Sequence, residues 1–116
     1  MNGIVVSNHG GQRTDGGPSS LVVLPKIADA VGSKIDVLFD IAVRCGADIS
    51  TAVALGAKCV LVERPYVYGL VLGGEEGVGH VLRALCGELT MNLHLRGVTR
   101  LQDLNKGRLL KDDEPL

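Results

Sequence analysis

The chain has 116 residues, 46% of them apolar, and a formal net charge of -1 at pH 7. That length leaves room for one domain at most, and the composition is enough for a packed core. The balanced charge argues against a nucleic-acid or anionic-membrane surface, and three aromatic residues (Phe39, Tyr66, Tyr68) are too few for a base-stacking platform.

No apolar run reaches the roughly 18 residues of a membrane span, and no basic region precedes a long apolar stretch at the start. The chain ends in Glu-Pro-Leu, which is not a peroxisomal address of the Ser-Lys-Leu type. Cys45, Cys59 and Cys86 are odd in number and form no C-x-x-C pair, so free thiols in a reducing, cytoplasmic setting are expected. Cys59 and Cys86 stand among apolar residues and are expected in the core.

Ile4, Val5 and Val6 form a short β-branched run that breaks into Ser7, Asn8 and His9, then Gly10 and Gly11. This is how a buried strand empties into a loop. In parallel α/β architectures the C-terminal ends of strands are where ligands bind, because the loops converge there. His9 is therefore a candidate general base, beside glycines that leave room for a ligand; the plainer alternative is a loop imidazole that caps backbone groups.

Pro18, Ser19 and Ser20 signal a helix start, and Leu24, Ile27, Ala28 and Val31 recur at helical spacing up to Gly32. Pro25 is expected in the first turn, where its missing N–H costs least. A second strand is expected at about 35–39, opening into Asp40-Ile-Ala-Val-Arg44, then a helix over about 48–55 closed by Gly56. A third strand spans about 58–62, broken by Glu63-Arg64-Pro65. Each strand thus ends in polar or charged residues, at loop lengths that parallel crossovers use.

Val78, Val81, Leu82, Leu85, Leu89 and Leu93 mark the buried stripe of a long amphipathic helix over about 75–95. Gly73-Gly74 before it reads as a hinge or tight turn, and Gly77, Gly79 and Gly87 weaken it. His80 and His94 lack a second ligand at i+4, so they read as solvated or core-edge residues rather than metal ligands. Residues 105–116 read as a polar, frayed tail.

Taken together, Gly3-Ile-Val-Val-Ser-Asn-His-Gly-Gly11, Leu24-Pro25, Val37-Leu-Phe-Asp40, Arg44, Ala52-Val-Ala-Leu-Gly-Ala57, Arg64-Pro65 and Gly73-Gly-Glu-Glu-Gly77 resemble the FMN-dependent α-hydroxy acid dehydrogenase family. That family includes glycolate oxidase and lactate monooxygenase, and Tyr66 to Gly77 looks closest to the latter branch. The resemblance runs to about Leu104 and implies an α/β fold: the C-terminal portion, about strands six to eight, of an incomplete TIM (β/α)₈ barrel. It divides the chain into a partial domain over 1–104 and a tail over 105–116. It also implies FMN as cofactor and a small 2-hydroxy acid as substrate, with His9 as the base. Ser7 would then touch the flavin ring. Asp40, Ile41, Ala42, Val43 and Arg44, with Glu63 and Arg64, would line the ribityl chain and phosphate of FMN.

Three departures from the family pattern stand out. The family has arginine directly after the glycine pair, as a clamp on the substrate carboxylate; here the order is Gln12-Arg13, which leaves these two as the substrate-side candidates. Where relatives have glycines after the aspartate, this chain has Ile41-Ala42, although glycine permits closer backbone approach. Glu63 replaces the glycine before the arginine and puts a carboxylate beside the expected phosphate.

A complete barrel needs about 250 residues, so the other strands, with the family's lysine, substrate-gripping tyrosines and histidine-orienting aspartate, are expected outside this chain. Two functions follow. One is FMN-dependent oxidation of a lactate- or glycolate-like acid, impaired in a fragment; the other is a non-catalytic half-barrel remnant that pairs with itself or another chain. A generic phosphate-binding α/β fragment leaves Ser7-Asn8-His9 unexplained.

Overall fold

The computed structural model describes residues 1–13 and 15–109. The chain runs β1 (Gly3–Val6), α1 (Ser20–Val31), β2 (Asp36–Asp40), α2 (Gly46–Ala54), β3 (Cys59–Leu61) and α3 (Arg64–Leu95), with 3₁₀ turns at His9–Gly11, Leu101–Asp103 and Lys106–Arg108. The three strands form a parallel sheet in the order β1-β2-β3, with Val6 opposite Phe39 and Asp40 opposite Leu61. All three therefore exit at the same edge, as the polar strand ends predicted.

Strand alternation decides what is buried. Val6, Val37 and Phe39 point into a core completed by Leu24 of α1, Ala52 of α2, Val43 and Ala57, with Ile4 and Val60 packed against it. Leu24 and Phe39 are 0% and 1% exposed, and burial of each contributes about 1.5–3 kcal/mol. The opposite face carries Val5 and Leu61, which stay exposed. Register places Cys59 opposite Leu38 and Leu38 opposite Val5, so Cys59 belongs to this uncovered row. It is exposed, and so is Cys86 on α3, contrary to the expectation of core thiols. Apolar neighbours in sequence did not decide this; the face on which each residue lands did.

α1 begins at Ser20 as expected and ends at Gly32, but Pro25 lies in its second turn, so the helix forgoes the bond that an N–H there would make to Leu21. Ser19 occupies the cap position without a side-chain hydrogen bond; its carbonyl accepts from Val22 N–H at 3.0 Å instead. α2 closes at Gly56, whose φ of 115° lets the Gly56 and Ala57 N–H groups bond back to Val53 and Ala52.

α3 differs most from expectation. The strand does break at Glu63-Arg64-Pro65, but Arg64 and Pro65 also start a helix that runs to the non-helical pair Gly73 and Gly74, beyond which a second arm continues to Leu95. Proline in a first turn is a start signal, whereas the nearly all-apolar sequence from Tyr66 to Leu72 shows no helical period. The arms cross at Gly69 and Gly77: a Cβ on Gly77 would stand 1.9 Å from the Gly69 carbonyl oxygen. Gly77 is thus a close-approach residue rather than a weak point. Of the expected stripe on the second arm, Leu85 is buried and Leu82 is 47% exposed.

Beyond α3, Val98 and Leu104 form a second small core with Ala54, and Leu109 packs against it. Residues 105–109 are held rather than frayed: Lys106 Nζ pairs with Asp29 of α1 at 2.7 Å, and Asn105 Oδ1 accepts from Gly107 N–H at 3.0 Å. The remainder of the expected tail, 110–116, lies outside the described residues. Among the described residues no helix is long and apolar enough to cross a membrane.

Candidate functional site

At the exit of β1 the chain turns through three consecutive residues of positive φ: His9 at 55°, Gly10 and Gly11 at 71°. Histidine tolerates this region better than branched residues do. His9 N–H to Ser7 Oγ and Gly11 N–H to Asn8 O, both at 3.0 Å, hold the turn together with Gln12 N–H to His9 O at 3.4 Å. The first uses the Ser7 hydroxyl locally, so Ser7 shapes the turn that carries His9. The His9 imidazole is exposed at the sheet edge.

Arg64, the first residue of α3, reaches across to this turn. A Cβ on Gly10 would stand 3.0 Å from Arg64 Nη2 and 3.3 Å from Gln12 Nε2. Glycine at this position is what admits both side chains. The expected substrate pair is therefore split: Gln12 folds over Gly10 beside Arg64, while Arg13 is exposed, with no hydrogen bond or ion pair among the described residues.

β2 exits into Asp40, whose carbonyl accepts from Ser20 Oγ at 3.4 Å. Its Oδ1 is buried without a partner among the described residues, as is Oδ1 of Asn8 at the neighbouring strand exit. Ile41 and Ala42 follow with φ of 74° and 67°. The backbone thus keeps a conformation that favours glycine while carrying two side chains, one of them β-branched. Val43 is buried and anchors the turn, and Arg44 is exposed.

The Arg44 backbone is held from behind. Asp48 Oδ2 accepts from Arg44 N–H at 2.8 Å and from Cys45 N–H at 3.1 Å, and Glu88 Oε2 on α3 accepts from Gly46 N–H at 2.8 Å. At the third exit, Glu63 precedes α3 with φ -119° and ψ -77°, and both Glu63 and Arg64 are exposed. No ion pair among the described residues engages Arg44 or Arg64.

Sequence reasoning missed three residues here. Asn8 stands in the His9 run, but nothing in the neighbouring residues signals that its side-chain oxygen is buried. Asp48 stands three residues after Cys45, at capping-box spacing, and could have been found. Glu88 carries no local signal, since its partner lies on another helix.

Residues 1–111 match the family described as FMN-dependent dehydrogenase. The chain belongs to the FMN-dependent dehydrogenase family. An FMN-dependent alpha-hydroxy acid dehydrogenase of Schizosaccharomyces pombe is 60% identical to this family member over 97% of the chain, which spans 28% of that relative's length. Among solved structures, the lactate oxidase of Pediococcus acidilactici superposes with a TM-score of 0.85 at 45% identity, over 88% of this chain and 28% of its own. A soluble mutant of the membrane-associated (S)-mandelate dehydrogenase of Pseudomonas putida gives a TM-score of 0.89 at 37% identity, over 94% of this chain and 31% of its own. These are TIM-barrel flavoenzymes, and the three-stranded sheet corresponds to an incomplete part of such a barrel. The family's cofactor is FMN.

Proposed function

We propose that this segment, corresponding to about strands six to eight of the barrel, supplies the base and the phosphate grip for FMN-dependent oxidation of a small 2-hydroxy acid of the lactate or glycolate type. The single observation that carries the reading is the placement of the Arg64 guanidinium against the His9–Gly11 turn. It brings a guanidinium that follows the third strand against the turn that carries the imidazole after the first.

The residues fit the cofactor. The unpartnered oxygens of Asp40 and Asn8 call for hydroxyl donors such as a polyol chain offers. Arg44 and Arg64, without carboxylate partners among the described residues, suit a dianionic phosphate. Glu63 puts a carboxylate beside that phosphate and Ile41 a β-branched side chain where glycine would permit closer approach, both of which weaken the grip. Ser7 borders the flavin side, while Ile41, Ala42 and Val43 supply the backbone turn that carries Arg44.

FMN supplies the two-electron acceptor that the side chains lack. Oxidation of a hydroxy acid to a keto acid releases two protons with the electron pair; an imidazole nitrogen of His9 takes one, and the other leaves with the electrons. Gln12, folded over Gly10, and the exposed Arg13 are the two candidates for the substrate carboxylate.

Titration of the chain with FMN and with riboflavin, read by flavin fluorescence, tests the phosphate grip. Arg44→Met and Arg64→Met are each expected to weaken FMN roughly 10- to 100-fold, the loss of one charge-assisted contact, and to leave riboflavin unaffected. Equal loss of both flavins, or none, refutes the assignment. Substituting this segment into the S. pombe relative tests the base: keto-acid formation should survive the exchange and disappear with His9→Asn.

A second reading rests on the exposed Val5 and Leu61 on the uncovered sheet face: a non-catalytic half-barrel that pairs with a second copy or a complementary half. Sedimentation of the chain should then reveal a dimer or complex; a cooperatively folded monomer contradicts it.

A further inference from the structure

We propose that Glu88 is a positioning residue for the FMN phosphate: it pins, from α3, the backbone that presents Arg44. The inference rests on the FMN reading above and extends it to a residue outside the strand exits. Three successive N–H groups, of Arg44, Cys45 and Gly46, point at two carboxylates, with Asp48 Oδ2 taking the first two and Glu88 Oε2 the third. Free N–H groups at the start of a helix would bind an anion themselves. Here they are occupied, so the phosphate at this exit depends on the Arg44 side chain, and the carboxylates determine where that side chain starts.

The contact depends on close approach of α2 to α3. A Cβ on Gly46 would stand 2.2 Å from Leu89 N and 2.4 Å from the Glu88 carbonyl carbon, so only glycine lets the start of α2 rest on the α3 backbone. One helical turn along each helix, Ser50 Oγ lies 2.6 Å from Asn92 Oδ1 and continues the seam. Upstream, Ile41 and Ala42 hold a strained turn of positive φ. The strain persists because Val43 is buried on one side and Asp48 and Glu88 grip the other. Releasing Glu88 frees the turn to relax and lets Arg44 drift from the phosphate, while the ring and ribityl contacts of flavin at Ser7 and Asp40 are untouched.

The test compares FMN and riboflavin affinity of the full chain carrying Glu88→Ala, Glu88→Gln or Glu88→Asp, together with amide hydrogen exchange at residues 44–46. Glu88→Ala should weaken FMN about tenfold, the equivalent of one charge-assisted hydrogen bond, leave riboflavin unchanged and speed exchange at Gly46. Glu88→Gln keeps an acceptor and should restore both FMN affinity and protection. If Glu88→Ala does not fold, Glu88→Asp retains the charge but falls a methylene short of Gly46, and should show the same selective loss. Unchanged FMN affinity in the folded Ala or Asp variant overturns the proposal, as does equal loss of FMN and riboflavin. A wild-type chain that binds riboflavin and FMN equally, or neither, fails the phosphate-grip reading itself and takes this inference with it.

Discussion

Arg64 Nη2 lies 3.0 Å from the point where a Cβ would stand on Gly10, so the exit of the third strand and the exit of the first share one surface. Gly10→Ala should therefore have two effects. Holding alanine at φ +71° costs about 1–2 kcal/mol of stability, and the methyl displaces Arg64 and lowers FMN affinity. Gly11 has the same φ but nothing within 4 Å of its Cβ position. Gly11→Ala should thus lose similar stability in urea unfolding while leaving FMN affinity intact, which separates strain from displacement.

The crossing of the two α3 arms makes an equally sharp prediction about glycines within one helix. Gly77→Ala drives a methyl into the Gly69 carbonyl and should cost about 3 kcal/mol, the upper range for overpacking. Gly87 meets nothing within 4 Å, so Gly87→Ala should stabilise by about 0.5–1 kcal/mol through helix propensity alone. Chemical denaturation midpoints should move in opposite directions.

Ala42 is exposed and holds φ 67°. Ala42→Gly relieves the left-handed penalty of about 1–2 kcal/mol and adds unfolded-state entropy worth somewhat less, so a net gain of about 0.5–1 kcal/mol is expected. A thermal unfolding curve that shifts downward contradicts the conformation assigned to this turn.

Ser50 is fully buried, with Oγ 2.9 Å from Ala47 O and 2.6 Å from Asn92 Oδ1. Ser50→Ala strands the Asn92 amide and should cost about 1–3 kcal/mol. In a double-mutant cycle with Asn92→Ala the two losses should sum to more than the double mutant shows, with a coupling of about 1 kcal/mol.

Much of this was legible in the chain itself. The apolar runs at Ile4–Val6 and Val37–Phe39, the helical spacing from Leu24 to Val31, and Gly56 as a terminator are local patterns, written in neighbouring residues. So is the polar character of all three strand exits, and a parallel sheet makes those exits coincide. The resemblance that rests on Ser7-Asn8-His9, Arg44 and Arg64 agrees with the family match over 1–111.

What tertiary structure alone decided is which side chains meet across elements. Cys59 is exposed because of its row on the sheet, not because of its neighbours in sequence. The first arm of α3 has no polar face to give it a period, and Gly77 has meaning only against Gly69. Arg64 over Gly10 and Glu88 on Gly46 join residues far apart along the chain. Contacts of that kind depend on how packed helices and strands bring distant backbone together, and no local spacing encodes them.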